Sequence, residues 1–289
     1  MLVLAACTQS KRGAVSAARQ MRAHRAGTSV AEIHRSWSSS LPAEGRRPLR
    51  NLYKGSYWSH VTSLSDSLNA RLLVVSAGLG LSRAEEVHAP YSATFSPGNE
   101  DSVPGAETPR GRRLWWNELG GSHALRTALA SEQTIVVLPN RYLEVVAADL
   151  AASKDRLLIF AASAPEALSS RVVTLESRMV RPLKTNVGAL APAAARHLLS
   201  STPSPWAPSA LRTAAKALVP SAAPPLYPVR ERQTEEQVRD WLKTLAATST
   251  LPSSATAALR LFRNDGRAFE QKRFHRLYHS VVSETAGAA

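Results

Sequence analysis

Apolar runs the length of a β-strand recur at residues 2–6, 72–77, 134–138, 157–161 and 172–175, with polar or helix-like stretches between them. A strand covered on both faces reads as a continuous apolar run, whereas a strand with one wet face alternates. The pattern therefore points to an α/β fold: a mixed or parallel sheet with flanking helices. With 289 residues the chain has room for one large domain or two ordinary ones. No stretch reaches the roughly 18 consecutive apolar residues of a membrane-spanning helix, so no membrane partner is expected.

The opening Leu4-Ala5-Ala6-Cys7 reads like a lipoprotein cleavage site. A secretory signal also needs a basic start and an apolar stretch of about 7–15 residues, and neither is present. Residues 2–6 are therefore read as a buried first strand, with 7–12 as the loop at its carboxyl end, where open α/β sheets place ligands. The chain has one cysteine, which excludes a disulfide framework and suits a cytoplasmic location. Without Cys-x-x-Cys pairs or His-Cys clusters, neither a metal site nor a cofactor is expected.

Residues 187–201 read as a helix that closes an α/β domain over 1–201. Pro203, Pro205, Pro208, Pro220, Pro224, Pro225 and Pro228 then crowd into 202–229, read as a proline-rich linker holding one short helix at 210–218. Residues 230–289 read as a small helical module. In 234–247, Val238, Trp241, Leu242 and Leu245 fall at helical spacing, and Thr234 with Gln237 has the spacing of a capping box. The pattern repeats over 254–264 and 270–283, with Gly266 placed as a helix terminator. Between residues 92 and 113 the density of Pro and Gly reads as a long loop.

The formal charge is +14, so the first partner to consider is nucleic acid, DNA foremost and RNA as the alternative. Residues 11–54 carry ten Lys and Arg against Glu32 and Glu44. On the last helix Lys272, Arg276 and His279 fall opposite Phe274, Leu277 and Val281, and Arg273 adds to the basic face. That arrangement fits the last helix of a helix-turn-helix-like module; a solvated helical bundle fits it equally. Arg112 and Arg113 precede Trp115-Trp116, a basic run beside stacking surface that suits unpaired bases. The competing reading makes the tryptophans a hydrophobic anchor or a contact for a partner protein.

Three motifs belong at the carboxyl end of the sheet: Cys7-x-x-x-Lys11, Leu52-Tyr53-Lys54-Gly55, and Ser76-Ala77-Gly78-Leu79-Gly80-Leu81, followed by Pro90-Tyr91. A cysteine or lysine beside other cations is favoured as a nucleophile, which makes Cys7 and Lys11 the catalytic candidates. Tyr53, Gly55, Ser76, Gly78 and Tyr91 are then expected to hold a nucleotide or base by hydrogen bonding and stacking. The plainer readings are a buried small thiol at Cys7, a phosphate contact at Lys11 and a tight strand-to-helix turn at Ser76 and Gly78. Gly78-x-Gly80 lacks the third glycine and the downstream acid of a dinucleotide fingerprint, and no Walker, His-Glu-x-x-His or Gly-x-Ser-x-Gly motif occurs. Acids are too sparse for a two-metal nuclease.

Together these motifs, over about residues 1–95, resemble a family of small prokaryotic domains linked to 7-deazaguanine DNA modification and phage defence. That family looks like a distant relative of the catalytic core of archaeosine synthase. Archaeosine enzymes carry Pro-Cys and Lys-Pro-Tyr, where this chain has Ala6 before Cys7 and Arg12 after Lys11. The resemblance implies a nucleic-acid-binding component of an antiphage or DNA-modification system with a base pocket at the strand ends. Two alternatives stand beside it: a nucleobase-modifying enzyme using Cys7 or Lys11, and a structural subunit bound to other proteins of a defence complex.

Overall fold

A computed structural model of the chain describes residues 1–27, 29–40, 45–219 and 230–286, without the side chains of 272, 285 and 286. It divides into two compact units, Met1–Ala223 and Pro224–Ala289. The first is an α/β domain around a sheet of β1 (Leu2–Ala6), β2 (Arg71–Ser76), β3 (Gly80–Arg83), β4 (Thr134–Val136), β5 (Leu157–Ala161) and β6 (Val172–Thr174). Each of the five apolar runs forms a strand. Helices α1 (Val30–Ser39) and α2 (Ser56–Ser67) connect β1 to β2, and α3 (Pro109–Glu118) and α4 (Gly121–Leu129) connect β3 to β4. Helix α5 (Asn140–Ala151) leads into β5, while α6 (Leu190–Ser201) and α7 (Pro208–Ala217) follow β6.

The strand order is β3-β2-β1-β4-β5-β6. β1 runs parallel to both neighbours, Leu4 lying opposite Leu73 on one side and Val136 on the other. β4, β5 and β6 continue in parallel, and β3 is an antiparallel edge. Residues 77–79 therefore turn a hairpin, not the strand-to-helix connection of the plainer reading of Ser76 and Gly78. From β1 the chain builds outward through β2 and β3, then returns to build β4 to β6 on the opposite side. The reversal falls between β1 and β4, and the crevice at the carboxyl ends of such a strand pair is where open α/β sheets bind ligands.

Two expectations need correction. Part of the stretch read as a linker belongs to the first unit: Leu211 and Ala215 of α7 are buried, and Arg212 Nε donates to the Val172 carbonyl of β6 at 2.7 Å. Proline suited this helix because it sits at the first turn, where its missing N–H removes no helical bond. The remainder of that stretch, 220–229, lies outside the described residues. The Pro- and Gly-rich segment after Tyr91 is the expected long loop as far as residue 108, and it is held in place: the Thr94 N–H donates to Asp101 O at 3.0 Å, the Val103 N–H to Thr94 O at 2.9 Å, and Phe95 is buried. It ends where Thr108 caps α3 by accepting from the Gly111 N–H.

Second, Arg112 is buried and Arg113, with its side chain 26% exposed, is held in an ion pair with Asp149, so neither presents the free basic run that was expected. Arg112 is 3% exposed and donates to the Ala106 carbonyl at 2.8 Å and Glu144 at 2.9 Å. Arg113 pairs with the buried Asp149 of α5, Nη2 to Oδ1 at 2.6 Å, and donates to the Val145 carbonyl. Asp149 also accepts from Trp116 Nε1 at 3.1 Å and from Ser122, which ties α3 and α4 to α5. Trp115 and Trp116 are fully buried, so their anchor reading holds and stacking on bases does not.

The second unit consists of α8 (Glu235–Ala247), α9 (Ala255–Asn264) and α10 (Gln271–Ala286). Thr234 and Gln237 form the expected reciprocal capping box. Val238, Leu242, Leu259, Phe262, Phe274 and Leu277 make its core, with the Trp241 and Phe262 rings 5.0 Å apart. A two-residue parallel bridge joins Glu231–Arg232 to Arg267–Ala268, a contact that no short-range pattern announces. Among the described residues no helix is long and apolar enough to cross a membrane.

Candidate functional site at the carboxyl edge of the sheet

At the end of β1 the Cys7 N–H continues the sheet ladder to the Val75 carbonyl at 3.0 Å. The chain then curls back, and Lys11 pairs with Tyr53 in an isolated antiparallel bridge. Arg12 N–H donates to Leu52 O at 2.8 Å and Lys54 N–H to Ser10 O at 3.1 Å. This stitch carries the Leu52-Tyr53-Lys54-Gly55 motif to the end of β1. Lys11 Nζ donates to the Thr8 carbonyl at 2.7 Å and lies 4.2 Å from the ring centre of Tyr91 and 5.5 Å from that of Tyr53. A buried ammonium over ring faces gains cation–π attraction in place of part of its lost hydration.

Ser76 ends β2. Its Oγ accepts the N–H groups of Gly78 and Leu79 at 3.1 and 3.0 Å. Both lone pairs are thus occupied, so its proton goes to Tyr91 Oη at 2.6 Å, and Tyr91 Oη in turn shares a hydrogen bond with Tyr53 Oη at 2.6 Å in which either hydroxyl can donate. Gly78 allows this packing: a Cβ there would stand 2.8 Å from the Tyr91 ring and 2.9 Å from Trp37, whose Nε1 donates to the Gly78 carbonyl at 2.6 Å. The structure thus gathers Cys7, Lys11, Tyr53, Ser76, Gly78 and Tyr91 as the sequence expected. Tyr53, Ser76 and Tyr91 are at most 2% exposed, so they support Lys11 and do not stack on a ligand. Gly55 lies outside the buried cluster, exposed at the N-terminus of α2 with φ of +103° and flanked by exposed Lys54.

Two tyrosines that the sequence reading missed complete the site. Tyr57, in the first turn of α2, accepts from the Ala6 N–H and donates to the Val137 carbonyl, both at 2.9 Å. It is wedged between the ends of β1 and β4, at the reversal of strand order. Tyr142 of α5 places its hydroxyl 3.2 Å from Cys7 Sγ. Beside them opens a crevice of about 330 Å³, mostly apolar, whose lining includes Tyr57, Val137, Pro139, Ala161, Leu175 and Leu190. Tyr57 follows Gly55 by two residues, but only the sheet order shows that this turn meets β4.

Burial pulls the Lys11 ammonium below the ordinary lysine range, opposed by the negative charge available at Cys7 and Asp101. Desolvation, and not the expected crowding by other cations, lowers it. Burial also raises Tyr53, Tyr57, Tyr91 and Tyr142 above the ordinary tyrosine value, so near neutral pH all four are uncharged hydrogen-bonding groups. The site thus holds a desolvated amine and a thiol within a rigid tyrosine frame.

On the last helix, Arg273 is paired with Glu235 at 3.2 Å and covers the Phe269 ring at 5.1 Å, while Arg276 and His279 are exposed. The Lys272 side chain lies outside the described residues. Among the described residues no group of three His, Cys, Asp or Glu is placed to hold a metal ion. In comparisons with known proteins, no family model, no curated protein and no solved structure matches this chain.

Proposed function

We propose that this protein binds nucleic acid and takes a base or nucleotide at the carboxyl edge of its sheet, beside Cys7 and Lys11. The observation that carries the reading is the position of Lys11. A lysine 7% exposed, with its pKa lowered, sits on two tyrosines beside the reversal of strand order, and desolvated ionisable groups of this kind cluster at functional sites. The adjoining apolar crevice suits a flat ring, and the exposed Arg12 and Lys54 suit phosphates. The exposed Arg276 and His279 of α10 offer a second contact to DNA. A setting in DNA modification or phage defence is supported by the resemblance of the first 95 or so residues.

Anisotropy titrations with labelled duplex and single-stranded DNA, repeated with RNA, test this reading. Affinity should fall steeply with salt, and the double change Arg12→Ala with Lys54→Ala should flatten the log–log salt slope by about 2. Absence of binding at low salt refutes it. A second reading, base modification, is favoured by the proximity of a thiol to an amine of lowered pKa. In that case Lys11→Met and Cys7→Ala abolish a mass change in nucleosides recovered from incubated DNA and leave DNA affinity in place.

A further inference from the structure

Between the Lys11 bridge and α1 the only regular structure is two short 3-10 turns, Ala17–Arg19 and Met21–His24. Over residues 12–26 only Arg19, Met21 and His24 are buried, so a single apolar side chain anchors the segment. Arg19 works against it. Its side chain is fully buried, and among the described residues its Nε, Nη1 and Nη2 have no hydrogen-bond partner. The guanidinium lies 4.8 Å from the Trp37 ring centre and 5.9 Å from that of Tyr91. Ring faces satisfy its flat side and leave its N–H edge unused. A segment with little buried apolar surface and an uncompensated internal charge opens at low cost.

The same segment grips two partners of Lys11. Arg19 rests on the ring of Tyr91, whose centre is 4.2 Å from Lys11 Nζ. The backbone pairs beside it: the Ser92 N–H donates to Arg19 O at 2.8 Å and the Met21 N–H to Ser92 O at 2.9 Å. The Arg22 N–H then donates to Asp101 Oδ1 at 3.2 Å, and Arg22 Nε lies 3.8 Å from that oxygen. Asp101 is the carboxylate whose charge favours the Lys11 ammonium. The outer ties, from Arg22 to Glu100 and from Arg25 to the Asn99 carbonyl, are exposed and hold weakly. Gly13, exposed at φ of +90°, and His24, 2.8 Å from Ser36 Oγ of α1, mark the two ends.

We propose that residues 14–22 form a strap that closes the Lys11 site and opens in the folded protein to uncover it. Closed, the strap fixes Tyr91 and Asp101 against Lys11 and leaves the amine 7% exposed, too little to meet a ligand. Open, it releases both partners, and Arg19 regains the hydration it lost on burial. The strap rests on the reading of Lys11 as the functional group for its purpose; the opening itself belongs to the free protein.

The test uses the full chain without nucleic acid. Hydrogen exchange read by mass spectrometry should find the amides of residues 14–22 exchanging well before those of β1 and β2, and acetic anhydride should acetylate Lys11 in the folded protein. Arg19→Met removes the buried charge that favours opening, so it should slow both processes by at least about tenfold. Gln20→Cys with Ser92→Cys, at positions paired in a bridge, supplies a staple: oxidised, it should block acetylation of Lys11, and reduction should restore it. The proposal is overturned if strap and strands exchange together, if Arg19→Met changes neither rate, or if the oxidised staple leaves Lys11 acetylation as it was. If Arg19→Met does not fold, the staple decides. Acetylation gated by the strap in a protein that binds no DNA or RNA would remove the nucleic-acid reading and leave the strap standing.

Discussion

At the scale of single residues, the chemistry of this protein depends on polar groups that the fold has taken out of water. Lys11 illustrates the consequence for pH. Its folded pKa is lowered from 10.5, so the unfolded chain binds the extra proton between the lowered value and 10.5, and stability contributed by this group rises with pH across that window. Wild type should therefore gain on Lys11→Met as pH climbs toward 10; chemical denaturation at stepped pH measures the difference, and parallel curves would show that Lys11 titrates as a free lysine. Tyr91 gives a second expectation. Its hydroxyl links Ser76 to Tyr53, so Tyr91→Phe strands two buried hydroxyls and should cost about 1–3 kcal/mol in urea unfolding.

At the scale of elements, the anchors are cross-helix contacts without local spacing. Asp149 joins α5 to Arg113, Trp116 and Ser122, and it is 1% exposed. Asp149→Ala leaves the arginine without its partner and should destabilise by about 3–5 kcal/mol, the usual cost of breaking a buried pair. Removing the exposed Glu85, which has no ion-pair partner among the described residues, should change stability by less than about 0.5 kcal/mol, which makes it a control for charge alone. Helix α7 carries its own expectation: it covers β6 with Leu211 and Ala215, so Leu211→Ala should cost about 2–5 kcal/mol. A cost near zero would return residues 208–217 to the status of a linker.

At the scale of the whole molecule, the +14 charge is distributed unequally between structure and surface. Arg112 is buried in the α/β unit and Arg113 is paired with the buried Asp149, whereas Arg276 is exposed on α10. Arg276→Ala should thus lower DNA affinity evenly across sequences and reduce the salt slope by about 1, without moving the melting temperature. An unchanged slope would make the face of α10 a solvated one.

What the sequence determined by itself was everything written in local periodicity. The five buried strands, the three C-terminal helices, the Thr234 cap and the place of Cys7 and Ser76 at strand ends all follow from apolar runs, spacing and turn chemistry, whereas Tyr53 and Tyr91 are brought to them by long-range pairing. Tertiary structure alone decided what depends on pairing across long separations: that β3 returns as an antiparallel edge, that Tyr57 lands between β1 and β4, and that Tyr142 reaches Cys7. It also decided burial. An arginine reads identically in sequence whether it faces water, as Arg276 does, or an internal carboxylate, as Arg113 does, or two aromatic rings, as Arg19 does. Charge is a local property of the chain, whereas desolvation is imposed by everything packed around it.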